Sequence, residues 1–327
     1  MKLVVDLMGA DLGVEEVVNG VCDSFEKTKL NFILVGPKEN AQRIINKRNI
    51  DHSRIEFIDT NEFIENHDDP VRSLRRKKNA SLVLGLEKLN EEGDGFLSTG
   101  STGGLLAGGI FITKRLKNVK RATLATLVPT RSGSQTILVD SGAVVDTKPE
   151  MQEQFAVMGS VVAEKYLNKK NPKVYLVNIG AEEGKGDIRT KEVYQLLKNN
   201  PNINFCGNIE PRDFLTGKAD VIVADGFSGN MMIKSTEGAA SVLFSEIKTA
   251  VTSSFFSKIG ALLLKKSLKK IKDKYDYKKV GAGIFLGLNK PLFKAHGSSD
   301  REAIKFAIYK AEELINSNIN NTIEERL

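Results

Sequence analysis

The stretch Gly95-Phe-Leu-Ser-Thr-Gly-Ser-Thr-Gly-Gly104 passes from an apolar, strand-like run into a loop of glycines and hydroxyls, and a helical pattern follows. Strand, glycine loop and helix in that order predict an α/β sheet that receives anions at the carboxyl ends of its strands. The same order recurs far downstream, where Ala219-Asp-Val-Ile-Val-Ala-Asp225 runs into Gly226-Phe-Ser-Gly-Asn230. Both loops offer small residues and backbone N–H groups to an anion such as phosphate.

Outward from these loops the alternation continues. Leu3–Asp6, Asn31–Gly36, Ile55–Ile58 and Lys173–Gly180 read as strands, with helical periodicity at Glu15–Phe25, about 39–48, about 79–91, Glu150–Leu167 and about 190–199. Ala122–Pro129 and Gln135–Asp140 read as a strand pair. Such alternation predicts a mainly parallel sheet with helices on both faces, a three-layer α/β/α sandwich. Residues from about 235 to 280 carry a nearly continuous helical pattern with no strand signal, and a helical stretch closes the chain. No linker or repeat divides the chain, so 1–327 reads as a single α/β catalytic domain with a helical extension.

With 327 residues, 41% hydrophobic and 27% charged, the chain can bury a large core and is not a disordered protein. The opening Met1-Lys-Leu-Val-Val-Asp6 leads straight into a strand, and no apolar run reaches the roughly 20 residues of a membrane span. A cytoplasmic location is expected. Cys22 and Cys206 are too isolated for a disulfide or metal framework, and both read as small buried hydrophobes. The three histidines supply no metal-ligand pair at helical spacing. The net charge of +7 favours acidic partners without choosing among them. No aromatic-interleaved basic platform supports nucleic-acid binding.

Four clusters are candidates for chemistry. In the first loop, Ser98, Gly100, Ser101, Thr102 and Gly103 can cradle phosphate, or can form a capped strand-to-helix connection. In Asn178-Ile-Gly-Ala-Glu-Glu-Gly-Lys-Gly-Asp187, Lys185 is either a mobile cation held by Glu182 and Glu183 or part of a solvated turn. Asp225, Ser228 and Asn230 bring an amide donor and a hydroxyl that can cap the next helix. In Ala295-His-Gly-Ser-Ser-Asp300, His296 is a proton-donor candidate and Ser298 or Ser299 a candidate helix cap. A fifth feature is apolar: Phe255, Phe256, Leu263 and Leu264 precede or border a run in which Leu268, Ile271 and Tyr275 recur among Lys265, Lys266, Lys269, Lys270, Lys272 and Lys274. That stripe suits an anionic membrane surface or a dimer contact.

Taken in order, these motifs resemble the bacterial PlsX family of phosphate acyltransferases in phospholipid synthesis. The resemblance runs through Asp6–Asp11, Leu74–Lys78, Ser98–Gly104, Lys148–Glu150, Asn178–Gly186, Gly207-Asn208, Arg212-Asp213, Asp225–Asn230 and His296–Ser299. The sequence departs at Ala10, where the family usually has glycine, at Ser101 and Val144, where it has asparagine, and at Ile284, where it has proline. The resemblance implies a phosphotransacetylase- or isopropylmalate-dehydrogenase-like fold, a homodimer, peripheral membrane association and no metal or organic cofactor. It implies conversion of acyl-(acyl carrier protein) and inorganic phosphate to acyl phosphate and free carrier protein, with the product passed to the acyltransferase that acylates glycerol 3-phosphate. Lys185, Asn230 and His296 are then the catalytic candidates. A phosphate acetyltransferase-like enzyme using acyl-CoA, and a non-catalytic membrane-associated scaffold for lipid synthesis, are the rival readings.

Overall fold

The computed structural model describes residues 1–275 and 281–327, apart from the side chains of residues 272 and 273. Lys272 of the lysine run and the end of the predicted extension, 276–280, therefore lie outside the described residues.

The first half of the chain alternates as β1 (Lys2–Asp6), α1 (Val14–Ser24), β2 (Asn31–Gly36), α2 (Lys38–Ile45), β3 (Ile55–Asp59), α3 (Pro70–Arg76), α4 (Ser81–Glu91), β4 (Gly95–Ser98) and α5 (Thr102–Gly108). Next come β5 (Thr123–Pro129), β6 (Gln135–Val139), α6 (Pro149–Lys165), β7 (Lys173–Val177), α7 (Ile188–Asn199), β8 (Asn204–Ile209) and β9 (Val221–Val223). The chain ends with α8 (Gly226–Thr252), α9 (Phe255–Tyr275), β10 (Gly283–Leu286), β11 (Leu292–Lys294), α10 (Arg301–Asn316) and α11 (Ile319–Arg326).

One sheet holds all eleven described strands in the order β3-β2-β1-β4-β11-β10-β5-β6-β9-β7-β8. Leu3, Val4 and Val5 of β1 are buried on both faces, as a central parallel strand requires, whereas β3 at the edge alternates in exposure. Phe96, Phe155, Phe285 and Phe293 are fully buried, and α4 covers β1, β2 and β4 while α6 covers β6 and β9.

Pairing is parallel except where β10 meets β11 and β5, and where β5 meets β6. This break positions the site. An odd number of antiparallel steps separates β4 and β11 from β6, β9, β7 and β8, so the two parallel halves run in opposite directions. The two glycine loops each follow the carboxyl end of a strand, as expected, but they emerge at opposite ends of the sheet. Two of the strands between them are short: β10 and β11 have four and three residues, spanning about 13 and 10 Å at roughly 3.3 Å per residue.

Helix α8 crosses that gap. It starts at the far end of β9, packs Met232 and Ile233 against the buried cluster that includes Leu138 and Ile222, and continues into the α8–α9 hairpin. Phe255, Phe256, Leu263 and Leu264 on the hairpin are exposed. Lys274 returns it to the body by donating to the Arg131 carbonyl at 2.6 Å. No described helix is long and apolar enough to cross a membrane.

Candidate active site

Parallel pairing of β1 with β4 brings Asp6 beside Ser98. The Ser98 hydroxyl donates to Asp6 Oδ2 at 2.8 Å and accepts from the Gly100 N–H at 2.9 Å. Ser98 is buried, so it organises the loop from beneath. Gly9 sits at φ +81°, and a Cβ there would lie 2.8 Å from the Gly100 Cα. The two loops therefore pack backbone to backbone, a contact that only glycine permits. Ser101 caps α5 by accepting from the Gly104 N–H at 3.4 Å. An asparagine would cap the same turn, so the departure at Ser101 keeps that function. Thr102 and Gly103 then head the helix with N–H groups that have no intrahelical acceptor, and a narrow pocket opens beside Met8, Gly9, Gly100 and Ser101.

Burial pushes the Asp6 carboxyl from 3.8 up to about 6, against the bonds from the Met8 N–H and Ser98 that favour its charged form. A folded pKa above the unfolded one means the folded state holds the proton more tightly. Stability from this group is therefore full below about 4 and is lost as pH rises to about 6. Asp6→Asn cannot ionise and still offers an acceptor to Met8 and a donor to Ser98. It should be more stable than the parent above pH 6, by on the order of 2–3 kcal/mol, with the gap closing near pH 4. Urea titrations at the two pH values check this.

Strand β11 lies on the other side of β4, with Lys294 in register with Ser98. The Lys294 ammonium donates to the Thr99 carbonyl at 2.9 Å and to the Ala295 carbonyl. Burial pushes it down to about 8; Asp11 and Asp6 act against that shift and Lys234 adds to it. Next along the chain, His296 places Nδ1 2.8 Å from the Ser298 hydroxyl and Nε2 3.3 Å from the Lys234 ammonium. Burial, then Lys234, lowers its pKa from 6.5. Asp11 closes the cluster: its N–H donates to the Gly297 carbonyl at 2.8 Å, and its carboxylate oxygen lies 2.7 Å from where a Gly297 Cβ would stand.

At the opposite end of the sheet, the buried Asp140 carboxylate accepts from the N–H groups of Leu124, Gly142, Ala143 and Val144. Val144 contributes through its backbone, because its carbonyl also accepts from the Gly226 N–H at 2.9 Å. Helix α8 is capped by Asp225 rather than by Ser228. Asp225 accepts from the Ser228 N–H, the Ser228 hydroxyl and Arg189, at 2.9, 2.8 and 2.9 Å. A carboxylate with two oxygens can serve all three donors, which a hydroxyl cannot. Asn230 is exposed and lies against Gly142.

The loop that carries Lys185 is pinned by two buried amides. Asn178 donates to the Lys185 carbonyl at 3.0 Å, and Asn208 donates to the Glu182 carbonyl at 2.8 Å. The Lys185 side chain is exposed, and Glu183 does not hold it: that carboxylate turns to Gln195 and Lys198 on α7, where a cation and an amide both reach it. Two further expectations fail. Cys206 is exposed, because β8 is an edge strand, whereas Cys22 is buried. The cap of α10 is Asp300, accepting from the Ala303 N–H at 3.0 Å, while Ser298 turns to His296.

Residues 1–322 match the family described as "Fatty acid synthesis protein". The chain belongs to this family. It is 44% identical to a phosphate acyltransferase from Clostridium tetani, with all of this chain and 98% of that protein covered. A phosphate acyltransferase from Bacillus licheniformis is 43% identical over the same shares. In fold, the chain is similar to a phosphotransacetylase from Streptococcus pyogenes, with a TM-score of 0.62, 16% identity, and 96% of this chain and 94% of that one covered.

The structure thus gathers Ser98, Gly100, Ser101, Thr102 and Gly103 with His296 at one end of the sheet. It sets Lys185, Asp225, Ser228 and Asn230 at the other. The first turns of α8 join the ends, since Asn230 and Lys234 are one helical turn apart and Lys234 meets His296. Sequence reasoning missed Lys234 and Lys294. The signal for Lys294 was its place two residues before His296; Lys234 had the i, i+4 spacing from Asn230.

Proposed function

We propose that the protein transfers a fatty acyl group from acyl carrier protein to inorganic phosphate, releasing acyl phosphate and free carrier protein. That it is an enzyme of acyl transfer with phosphate follows from its family and relatives; the carrier protein as donor is the proposed part. One observation carries the reading: the glycine-rich loop lies against a basic cluster of Lys294, Lys234 and His296, where a dianion can be held without a metal.

Phosphate is itself the nucleophile. One of its oxygens bonds to the thioester carbonyl carbon, the tetrahedral oxyanion collapses, the C–S bond breaks and the thiolate takes a proton. The N–H groups of Thr102 and Gly103 and the hydroxyls of Ser101 and Thr102 hold phosphate, Ser98 and Gly100 shape the loop beneath them, and Lys185 and Asn230 stabilise phosphate or the oxyanion. His296, with the Lys234 ammonium at its Nε2, assists proton delivery to the thiolate. Neither cysteine is required.

The acidic carrier protein would dock beside the loop. Helix α3 packs on α5, with Pro70 close to Gly103, and exposes Arg75 and Arg76. Lys77 is withdrawn from that surface by its bonds to Asp68 and the Phe63 carbonyl. Complementary charge would speed encounter more than it deepens affinity. Acyl carrier and acyl-CoA thioesters, compared at equal concentration, test the donor. The carrier thioester should be consumed far faster, and a preference for the CoA thioester would contradict the reading.

The single-domain organisation, a homodimer, a cytoplasmic location against the membrane and transfer of acyl phosphate to a glycerol 3-phosphate acyltransferase belong to the same proposal. The hairpin supports the membrane part: Phe255, Phe256 and Leu263 are 73%, 82% and 80% exposed beside Lys265 and Lys266. Such a surface suits anionic lipid. In vesicle co-sedimentation, the parent should bind anionic liposomes less tightly as salt rises, and the double variant Leu263→Glu, Leu264→Glu should not bind. Binding by that variant, or burial of the stripe between subunits, would remove the hairpin as anchor.

A further inference from the structure

We propose that Lys294 is the positioning residue of the phosphate site, a cation beneath the glycine-rich loop that sets its affinity for phosphate by clamping the Thr99 and Ala295 carbonyls. The inference rests on reading Ser98–Gly104 as the phosphate loop, and adds to it a residue that does not belong to the loop.

The geometry is specific. Strand β11 contributes three residues, and the last of them stands opposite Ser98 where the loop begins. Its Nζ bonds two carbonyls on different segments, one 195 residues earlier in the chain and one in the next residue. In a peptide plane the carbonyl and the following N–H point in opposite directions. Holding the Thr99 carbonyl toward Lys294 thus turns the Gly100 N–H the other way, toward Ser98 Oγ at 2.9 Å. Holding the Ala295 carbonyl likewise fixes the plane that leads into His296. One ammonium therefore sets the orientation of both segments that border the cleft, and adds a positive charge beneath them.

Structural need alone does not account for this lysine. Among the described residues it makes no ion pair, so its burial is not offset in the ordinary way. The charged groups that face it are Asp6 on β1, Asp11 in the loop that follows, Lys234 on α8 and His296 on its own segment. Two carboxylates and two basic groups around it leave it poised to respond to an added anion.

Two readouts test the role. In assays with acyl carrier thioester, Lys294→Met should raise the KM for phosphate by about tenfold or more and leave the KM for the thioester within about twofold. In the parent enzyme, kcat/KM for phosphate should fall above about pH 8, where burial lets Lys294 lose its proton. The sign follows from charge: the clamp is complete below that pH and weakens above it. Phosphate stays dianionic over this range and His296 titrates below it, so neither produces that limb. The Lys294→Met profile should be low and flat. An unchanged phosphate KM in a folded Lys294→Met protein would overturn the role of Lys294 while leaving the phosphate loop standing. So would a parent profile flat from pH 7 to 9.5, which needs no variant to fold. Turnover that is independent of phosphate in the parent would remove the loop's assignment and this inference together.

Discussion

Lys185→Ala should lower phosphate-dependent turnover by about 10²–10³, with little change in melting temperature. The separation of the two effects comes from how the loop is held. Its backbone is fixed by Asn178 on the Lys185 carbonyl and by Asn208 on the Glu182 carbonyl, and neither bond involves the lysine side chain. The Lys185 side chain projects from this pinned loop into solvent and makes no ion pair among the described residues. Truncation therefore removes a cation without opening a cavity or stranding a buried partner. A charge that meets only a developing oxyanion or a bound dianion lowers the barrier and adds nothing to the resting fold. Purified Lys185→Ala with parental turnover would take this residue out of the mechanism.

Gly229→Ala should be the most damaging single-methyl change in the chain. A Cβ at Gly229 would lie 1.9 Å from the Asp140 carbonyl oxygen, a backbone atom that cannot swing away. The Asp140 turn is also locked by four N–H bonds to its carboxylate. Helix α8 would have to lift from the sheet, at a cost of about 3 kcal/mol or more. Asn230 and Lys234, which follow on the same helix, would leave their places, and activity should fall with stability. Gly238→Ala in the same helix is the control. Nothing lies within 4 Å of its Cβ position, so it should raise stability by roughly 0.5–1 kcal/mol. Thermal melts of the two variants moving in opposite directions would support the docking of α8; equal shifts would refute it.

The legible part of the fold was the part with period and length. β1, β2 and β4 announce themselves as buried apolar runs that end in glycine or hydroxyl turns. β8 did not, because Asn204, Cys206, Gly207 and Asn208 interrupt its apolar pattern. β10 and β11 are too short to carry any period. Missing them concealed the reversal of direction between the two halves of the sheet, since β10 pairs with β5 across some 160 residues of chain and no local signal encodes that pairing. Lys294 was hidden for the same reason. The caps of α8 and α10 were misplaced by one to three residues because aspartate and serine stand close together at both starts, and which one turns inward is a tertiary outcome. The glycine loop, Lys185, Asn230 and His296 could be named from sequence. That α8 carries Asn230 and Lys234 from one loop cluster to the other could not.

The most direct measurement gives the enzyme acyl carrier thioester and phosphate labelled at every oxygen with ¹⁸O, then weighs the products. Acyl phosphate carrying the whole label, formed one for one with free carrier thiol, is the expected result. Free fatty acid released at a rate indifferent to phosphate would contradict it.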